Sequence, residues 1–356
     1  MKKKEFILKE KQKPKGIISG KLKAKTPSNI ALVKYWGKKK NQIPTNTSLS
    51  FTLSACFTLT ELEFTKIKNN ADFDFEIYFE GKKQPDFKPK IHTFFKRIEK
   101  YVPFIKDFSF TINTRNSFPH SSGIASSASG MGALALCIMQ LEKQLFPNIS
   151  DDYFNKKASF LARLGSGSAS RSIYKGVAVW GKHKKIKGSS NLFAIPFPYK
   201  IHPIFKNYHD TILLVDKGEK TVSSTVGHQL MEKHPFAKQR FKQANKNITK
   251  IKKILQKGDL KSFINLIESE ALTLHGLMMS SNPYFILIKP NTLEIINKIW
   301  KFRKETDLPI SFTLDAGANV HVLYPEKFKN EIHNFIVNEL LIYCQNKSYI
   351  CDRVSL

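Results

Sequence analysis

Four short segments hold the side chains whose types and spacing could do chemistry. The first runs Phe118-Pro-His-Ser-Ser-Gly-Ile-Ala-Ser-Ser-Ala-Ser-Gly130, between a strand-like stretch and a long apolar run. Gly123 lets the backbone turn there without a Cβ clash. Ser126, Ser127 and Ser129 would place hydroxyls and unpaired amides at a helix N-terminus, where the dipole favours an anion such as phosphate. The GxxxxGK[ST] phosphate loop is absent. The second segment, Leu164-Gly-Ser-Gly-Ser-Ala-Ser-Arg-Ser-Ile-Tyr174, again sets small residues after a helix and before a strand. Ser166 and Ser168 can donate to an anion, and the Arg171 guanidinium is a fork suited to a carboxylate or phosphate. The third, Thr26-Pro-Ser-Asn-Ile-Ala-Leu-Val-Lys-Tyr-Trp-Gly-Lys38, brackets an aromatic pair and a glycine with Lys34 and Lys38. Alone it reads equally as a strand end with amphipathic lysines. The fourth, Phe312-Thr-Leu-Asp-Ala-Gly-Ala-Asn319, ends a buried strand on Asp315 before a tight turn, which that carboxylate could simply cap.

Those segments need elements to carry them. Lys21–Ser28 reads as a strand running into a turn, behind a Lys-rich leader (residues 1–20) that could add a further strand after a disordered start. Leu49–Phe64 reads as one or two strands. The alternation in Asp72–Phe79 gives a half-exposed strand, followed by a hairpin-type turn at Gly81. Helical spacing covers Lys90–Tyr101, and Phe108–Thr114 alternates as a strand. Ser126–Leu145 and Asp151–Leu164 read as helices, Gly176–Trp180 as a strand. Composition changes across Ile195–Tyr208, which divides the chain into domains of residues 1–200 and 201–356. In the second, Asp210–Val215 is a buried strand and Phe241–Leu277 holds two helices parted near Gly258. Pro290–Arg303 is a helix, Ile310–Leu314 and Val320–Tyr324 are strands, and Phe328–Cys344 is a closing helix. Hairpin-like β regions interleaved with helices favour an α+β fold over a doubly wound sheet.

Length and composition bound the answer. The chain has 356 residues with 41% hydrophobic and 12% aromatic content, enough for a large buried core. The longest uncharged apolar run, Gly130–Leu141, is well short of the roughly 20 residues of a membrane span. The first residues lack the apolar core of a secretory signal. Cys56, Cys137, Cys344 and Cys351 show no metal spacing and read as reduced thiols, so a cytoplasmic protein is expected. There are 58 Lys+Arg against 29 Asp+Glu, a net charge of +29. Only 7 of the basic residues are arginine, the residue favoured for base readout and planar phosphate clamps. The lysines are scattered, and none lies between Lys106 and Lys143 or between Lys304 and Lys327, the stretches that hold the serine-rich loop and Asp315. A nucleic-acid-binding protein that works by charge would have no need of Asp315.

Taken together, the four segments resemble the superfamily of galactokinase, homoserine kinase, mevalonate kinase and phosphomevalonate kinase, whose signature is Pro-x-x-x-Gly-Leu-x-Ser-Ser-x-Ala. Here it reads Pro119-His-Ser-Ser-Gly123-Ile-Ala-Ser126-Ser127-Ala128-Ser129. Within it the chain is similar to the diphosphomevalonate decarboxylase family, through Asn29-Ile-Ala-Leu-Val-Lys-Tyr-Trp-Gly-Lys38, Gly165-Ser-Gly-Ser-Ala-Ser-Arg-Ser172, Asp315-Ala-Gly-Ala-Asn319 and Val222-Ser-Ser-Thr225. The likeness spans about residues 24–345. It implies a two-domain fold of the superfamily's kind (a ribosomal protein S5 domain 2-like N-terminal domain and a ferredoxin-like C-terminal domain) with the active site in the cleft between them.

The activity it implies is ATP- and Mg2+-dependent decarboxylation of mevalonate 5-diphosphate to isopentenyl diphosphate, in isoprenoid biosynthesis. By the same matching, Asp315, Arg171 and Lys34 are the catalytic group. Asn29, Tyr35, Lys38, Ser166, Ser168 and Ser223 would contact the substrate. Pro119, Gly123, Ser126, Ser127 and Ser129 would belong to the ATP phosphate loop, with Mg2+ bridged mainly by phosphates. Relatives are often dimers, so the resemblance admits a homodimer; it implies neither nucleic acid nor membrane as partner. The chain departs from the family pattern at His120-Ser121-Ser122, at Ser170 and at Ala318, none of which is in the catalytic group. A sibling phosphomevalonate decarboxylase or a mevalonate 3-kinase is the alternative within the superfamily; Lys34 and Arg171 argue against the pure kinase.

Overall fold

Alternation decides the first strand. In β1 (Ser19–Val33), Lys21, Lys23 and Lys25 face solvent while Leu22, Ala24 and Thr26 face inward, and from Ser28 onward every residue is buried. The computed structural model describes residues 1–8, 14–68, 72–119, 124–218 and 224–354. β1 runs antiparallel to β4 (Ser48–Lys66), with register shifts between Pro27 and Asn29 and between Ala31 and Val33. Such irregularities re-aim side chains, and they fall on the stretch that carries Asn29 and leads to Lys34. Between these strands, β2 (Lys38–Lys39) and β3 (Ile43–Pro44) make a small hairpin.

β5 (Asp74–Phe79) and β6 (Lys82–Lys83) form the hairpin expected at Gly81, and α1 (Lys88–Ile98) leads to β7 (Phe108–Asn116). Then follow α2 (Ser126–Leu145), α3 (Asp151–Gly165), β8 (Val177–Trp180) and β9 (Ala194–Pro196). The strands form one sheet ordered β6-β5-β7-β4-β8-β9, with β1 also on β4. α3 starts where Ser150 Oγ accepts from the Tyr153 amide, ahead of Asp151 and Asp152 in its first turn.

The second half is built on β10 (His209–Leu213), α4 (Ser224–Leu230), α5 (Ala237–Lys257), α6 (Leu260–Met279), α7 (Pro290–Thr306), β11 (Ser311–Leu314), β12 (Val320–Tyr324), α8 (Lys329–Phe335) and β13 (Tyr349–Arg353). Its sheet is antiparallel and ordered β11-β12-β10-β13. Gly258, with φ +77°, is the left-handed residue that ends α5, and Asp259 caps α6 through the Ser262 amide. Ala271 of α6 and Ile295, Ile296 and Ile299 of α7 pack with the β11 and β12 residues.

Three expectations change. Among the leader's described residues no strand precedes Ser19: residues 3–6 make a short 3₁₀ turn that buries Phe6, stacked on Phe160 at 4.5 Å between ring centroids. The closing helix breaks after Phe335 into a π-turn (Ile336–Leu340) and a 3₁₀ turn (Leu341–Tyr343), which lets Leu340 and Leu341 both reach the core. β13 was not read from the sequence at all. The two halves also share one core, since Phe51 packs on Tyr208 and Phe263, and Phe263 packs on Phe205.

Candidate active site

A cavity of about 550 Å³ gathers side chains from all four segments. Asn29, Lys34, Tyr35, Lys38, Ser126, Ser127, Ser166, Ser168, Arg171 and Asp315 line it together. Asn29 comes from β1, Lys34 and Tyr35 from the stretch that follows it and Lys38 from β2; Ser126 and Ser127 come from the start of α2. Ser166, Ser168 and Arg171 come from the turn after α3, and Asp315 from the end of β11. Gly123 and Ser223 lie outside the described residues. Pro119 and Ser129 do not line the cavity. Ser129 is fully buried: its Oγ lies 2.6 Å from Thr58 Oγ1 and donates to the Ser126 carbonyl. It sits one turn beyond Ser126 on the helix face packed against β4, so its hydroxyl fastens the helix to the sheet.

The start of α2 is tied to β1. Thr26 Oγ1 donates to the Ser129 carbonyl and Ser28 Oγ to the Ile124 carbonyl, each at 2.5 Å. Ala125 precedes the helix in the left-handed region (φ 49°), which leaves Ser126 and Ser127 to open the first turn beside the cavity. Ser127 Oγ lies 3.4 Å from Ser166 Oγ, so the two serine-rich segments meet.

Arg171 is 2% exposed and braced on two sides. Its Nε donates to Asn29 Oδ1 at 3.2 Å and its Nη1 to Ser48 Oγ at 2.6 Å. Asn29 is fixed in turn by donating to Ser172 Oγ at 2.8 Å. The turn that carries Arg171 is an ordered 3₁₀ helix (Gly167–Ile173). Burial lowers the guanidinium to about 10, with Asp315 and Tyr35 acting in the opposite sense; it stays charged at neutral pH.

Lys34 is 1% exposed, and its Nζ has no hydrogen-bond partner among the described residues. Burial pulls the ammonium down to about 8; Asp315, Glu270 and Asp210 pull it up, and Arg171 pushes it down. A buried, unpartnered ammonium is costly unless an anion completes it. The half-buried Asp315 ends β11, and its carbonyl accepts from His275 Nε2 at 3.0 Å.

The loop after Lys34 is held by a residue that the sequence reading did not single out. His228 of α4 lies against Tyr35 (4.3 Å between centroids) and Trp36 (4.8 Å), and its Nδ1 accepts from the Gly37 amide at 2.9 Å. Gly37 has φ +92°, and a Cβ there would meet Thr45 Oγ1 at 2.7 Å, so glycine is required. Burial drives the imidazole down to about 3, so the ring that touches the loop is neutral. The only hint in sequence was its place three residues after the Val222-Ser-Ser-Thr225 match.

The same cavity has an apolar end, also unmarked in the sequence. Ile77, Phe79, Phe87, Ile112, Met131 and Leu134 line it, with Thr60, Thr114 and Asn116 supplying polar atoms. The lining therefore combines a basic, hydroxyl-rich part with an apolar part that also holds Lys90, and the start of α2 belongs to the same wall. That arrangement fits a polyphosphate ligand carrying an aromatic group. Among the described residues no cluster of three His, Cys, Asp or Glu side chains could hold a metal ion, and no helix is long and apolar enough to cross a membrane.

Comparison with known proteins finds matches along nearly the whole chain. The family model for the diphosphomevalonate decarboxylase-like N-terminal domain matches residues 26–192, and that for the mevalonate 5-diphosphate decarboxylase C-terminal domain matches residues 211–354. A diphosphomevalonate decarboxylase of Ganoderma lucidum is 29% identical over 88% of this chain and 80% of its own. That of Saccharomyces cerevisiae is 28% identical over 87% and 79%. Among solved structures, the mevalonate diphosphate decarboxylase of Staphylococcus aureus superposes with a TM-score of 0.80 at 29% identity, covering 95% of this chain and 96% of that one. The MDDEF structure in complex with MVAPP, AMPPCP and magnesium superposes with a TM-score of 0.78 at 29% identity, covering 94% and 96%.

Proposed function

The chain belongs to the diphosphomevalonate decarboxylase family, and we propose that it converts mevalonate 5-diphosphate and ATP to isopentenyl diphosphate, ADP, phosphate and CO2. The observation that carries this reading is the meeting of Lys34, Arg171 and Asp315 around one cavity beside a serine-rich helix start. A plain anion-binding site would not need the carboxylate of Asp315 in the same cavity as two buried cations that feel its charge. We place the domain boundary at about residue 200, between β9 and β10.

Asp315 orients the tertiary 3-hydroxyl and takes its proton as the γ-phosphoryl arrives. Lys34 offsets the charge of the transferring group, and its unpartnered Nζ is the atom best suited to that task. Arg171, fixed by Asn29 and Ser48, holds the substrate carboxylate until phosphate leaves with the C–O bonding pair. The C–C pair then forms the alkene and CO2 departs. Tyr35, Lys38, Ser166, Ser168 and Ser223 hold the diphosphate. Ser126 and Ser127, with Gly123 and Pro119 shaping their loop, face the ATP phosphates, and the apolar end by Phe79 and Phe87 takes the adenine. Mg2+ would enter with the ATP phosphates and offset their charge, in keeping with its reluctance to shed water for an all-protein site.

The test is product analysis with ATP, Mg2+ and mevalonate 5-diphosphate. Equal release of CO2, ADP and phosphate is expected. ADP without CO2 would make the protein a 3-kinase, and turnover of only the monophosphate would make it the sibling decarboxylase.

A further inference from the structure

Lys34 is held from the opposite half of the molecule. It is the first residue past the end of β1, so no strand partner claims its backbone groups. Its amide donates instead to Glu270 Oε2 on α6, at 2.9 Å. Its carbonyl accepts from Asn46 Nδ2 at 2.9 Å and, more loosely, from Arg240 Nη2 of α5 at 3.4 Å. Glu270 is fully buried. Besides the Lys34 amide it accepts from Arg240 Nη1 on Oε1 (2.9 Å), Arg240 Nη2 on Oε2 (2.5 Å) and Asn247 Nδ2 on Oε1 (2.6 Å). Both sides of the ion pair are almost fully shielded from solvent.

A buried ion pair of this kind is a poor stabiliser, because desolvation offsets most of the attraction. Its placement suggests another use. We propose that the Glu270–Arg240 pair is a positioning device for Lys34: it fixes the backbone at the root of that side chain and keeps a negative charge behind its ammonium. The proposal rests on the role given to Lys34 above. It makes α5 and α6 part of what sets the reacting end of β1.

The charge part of the device has a readable sign. The groups acting on the Lys34 ammonium are Asp315 from the end of β11, Glu270 from α6 and Asp210 from β10, which favour its charged form, and Arg171, which opposes it. Arg240 lies on the carbonyl side, while Lys38 and the neutral His228 line the same cavity. Activity that needs a protonated Lys34 falls as pH rises through the lysine's pKa. Removing the Glu270 charge lowers that pKa and moves the fall to lower pH.

The experiment uses the full chain with Glu270→Gln and Glu270→Asp. In Glu270→Gln the alkaline limb of kcat/KM, which reports the free enzyme, is expected to move down by about one pH unit. Glu270→Asp retains the charge on a shorter arm. Its limb should stay within a few tenths of a unit of wild type while kcat drops roughly tenfold. Aspartate also keeps the partner for Arg240, so this variant still folds if glutamine does not. A purely structural role would lower activity evenly across pH in both. An unmoved limb in Glu270→Gln, or a wild-type kcat in Glu270→Asp, overturns the proposal. Lysine side-chain NMR, with the Lys34 signal identified by its loss in Lys34→Arg, reads the same pKa change without turnover. The positioning claim can therefore fail or stand even if the wild-type protein releases no CO2.

Discussion

At the scale of single residues, the cavity joins two kinds of group: those that act by charge and those that act by shape. Asp315 is of the first kind. Asp315→Asn keeps the size and the turn, so turnover should fall by roughly 10²-fold or more, the range for a lost positioned acid–base group. Steady-state rates of ADP release check this, and near-normal turnover would remove Asp315 from the chemistry. Arg171 is of the second kind. Its Nε and Nη1 are spent on Asn29 and Ser48, which sets the plane of the fork. Arg171→Lys keeps a cation but loses that plane, so kcat/KM for mevalonate 5-diphosphate should fall at least tenfold with little change in the KM for ATP; unchanged kinetics would mean the carboxylate is held elsewhere. That these residues could meet was legible in sequence because each sits in a short run whose neighbours are themselves unusual. Glu270 was not, because its link to Lys34 joins residues 236 apart and each is a common type in an ordinary helix or strand. The burial of Ser129 was hidden for a related reason: a serine-rich run does not say which hydroxyls a helix will turn toward the sheet.

At the scale of elements, hydrophobic period and caps carried most of the information. α2 spans Ser126–Leu145 as expected, and α3 and α6 begin at side-chain caps written in the sequence. The sequence was silent where packing decides. The π-turn after α8 answers to Leu340 and Leu341 and not to local propensity. The strand Tyr349–Arg353 is short and depends on β10 being there to receive it. The turn after α3 is the element whose geometry matters most to the site. Its Gly167 lies under Tyr35 and Trp180: an added Cβ would meet Tyr35 Oη at 2.7 Å and Trp180 Cη2 at 2.9 Å. Tyr35 is itself wedged between Trp180 and His228, so neither ring has room to retreat. Gly167→Ala should therefore cost about 1–3 kcal/mol of stability, as overpacking does. It should also raise the KM for mevalonate 5-diphosphate severalfold more than the KM for ATP. Thermal denaturation and initial rates with each substrate varied in turn check both; equal changes in the two KM values would place the disturbance outside the substrate end.

At the scale of the whole molecule, the +29 charge and the two-domain plan both invite a misreading. The charge is mostly exposed lysine, and the cations we propose for the chemistry, Lys34 and Arg171, are buried ones that a count does not distinguish. The two sheets suggest lobes that could open and melt separately, yet the core runs through the junction. Phe263 of α6 is fully buried, with ring centroids 6.0 Å from Phe51 of β4, 4.9 Å from Phe205 and 5.4 Å from Tyr208. Asp352 of β13 reaches the same seam, accepting from the amides of Ser54, Ala55 and Cys56 in β4 at 2.6–2.8 Å. Domains joined only by a polar interface move and unfold independently; a shared aromatic core and a buried carboxylate on three amides couple them. The cleft residues contributed by the two halves are thus held in one frame, which is what the proposed trio of Lys34, Arg171 and Asp315 requires. Calorimetry of the wild-type chain should show a single unfolding transition. Phe263→Ala, which empties the seam, should lower stability by about 3–5 kcal/mol and split or broaden that transition, since the halves lose their common packing. Two resolved transitions in the wild type, or a Phe263→Ala variant that loses less than about 1 kcal/mol, would show that the halves are joined by the chain alone.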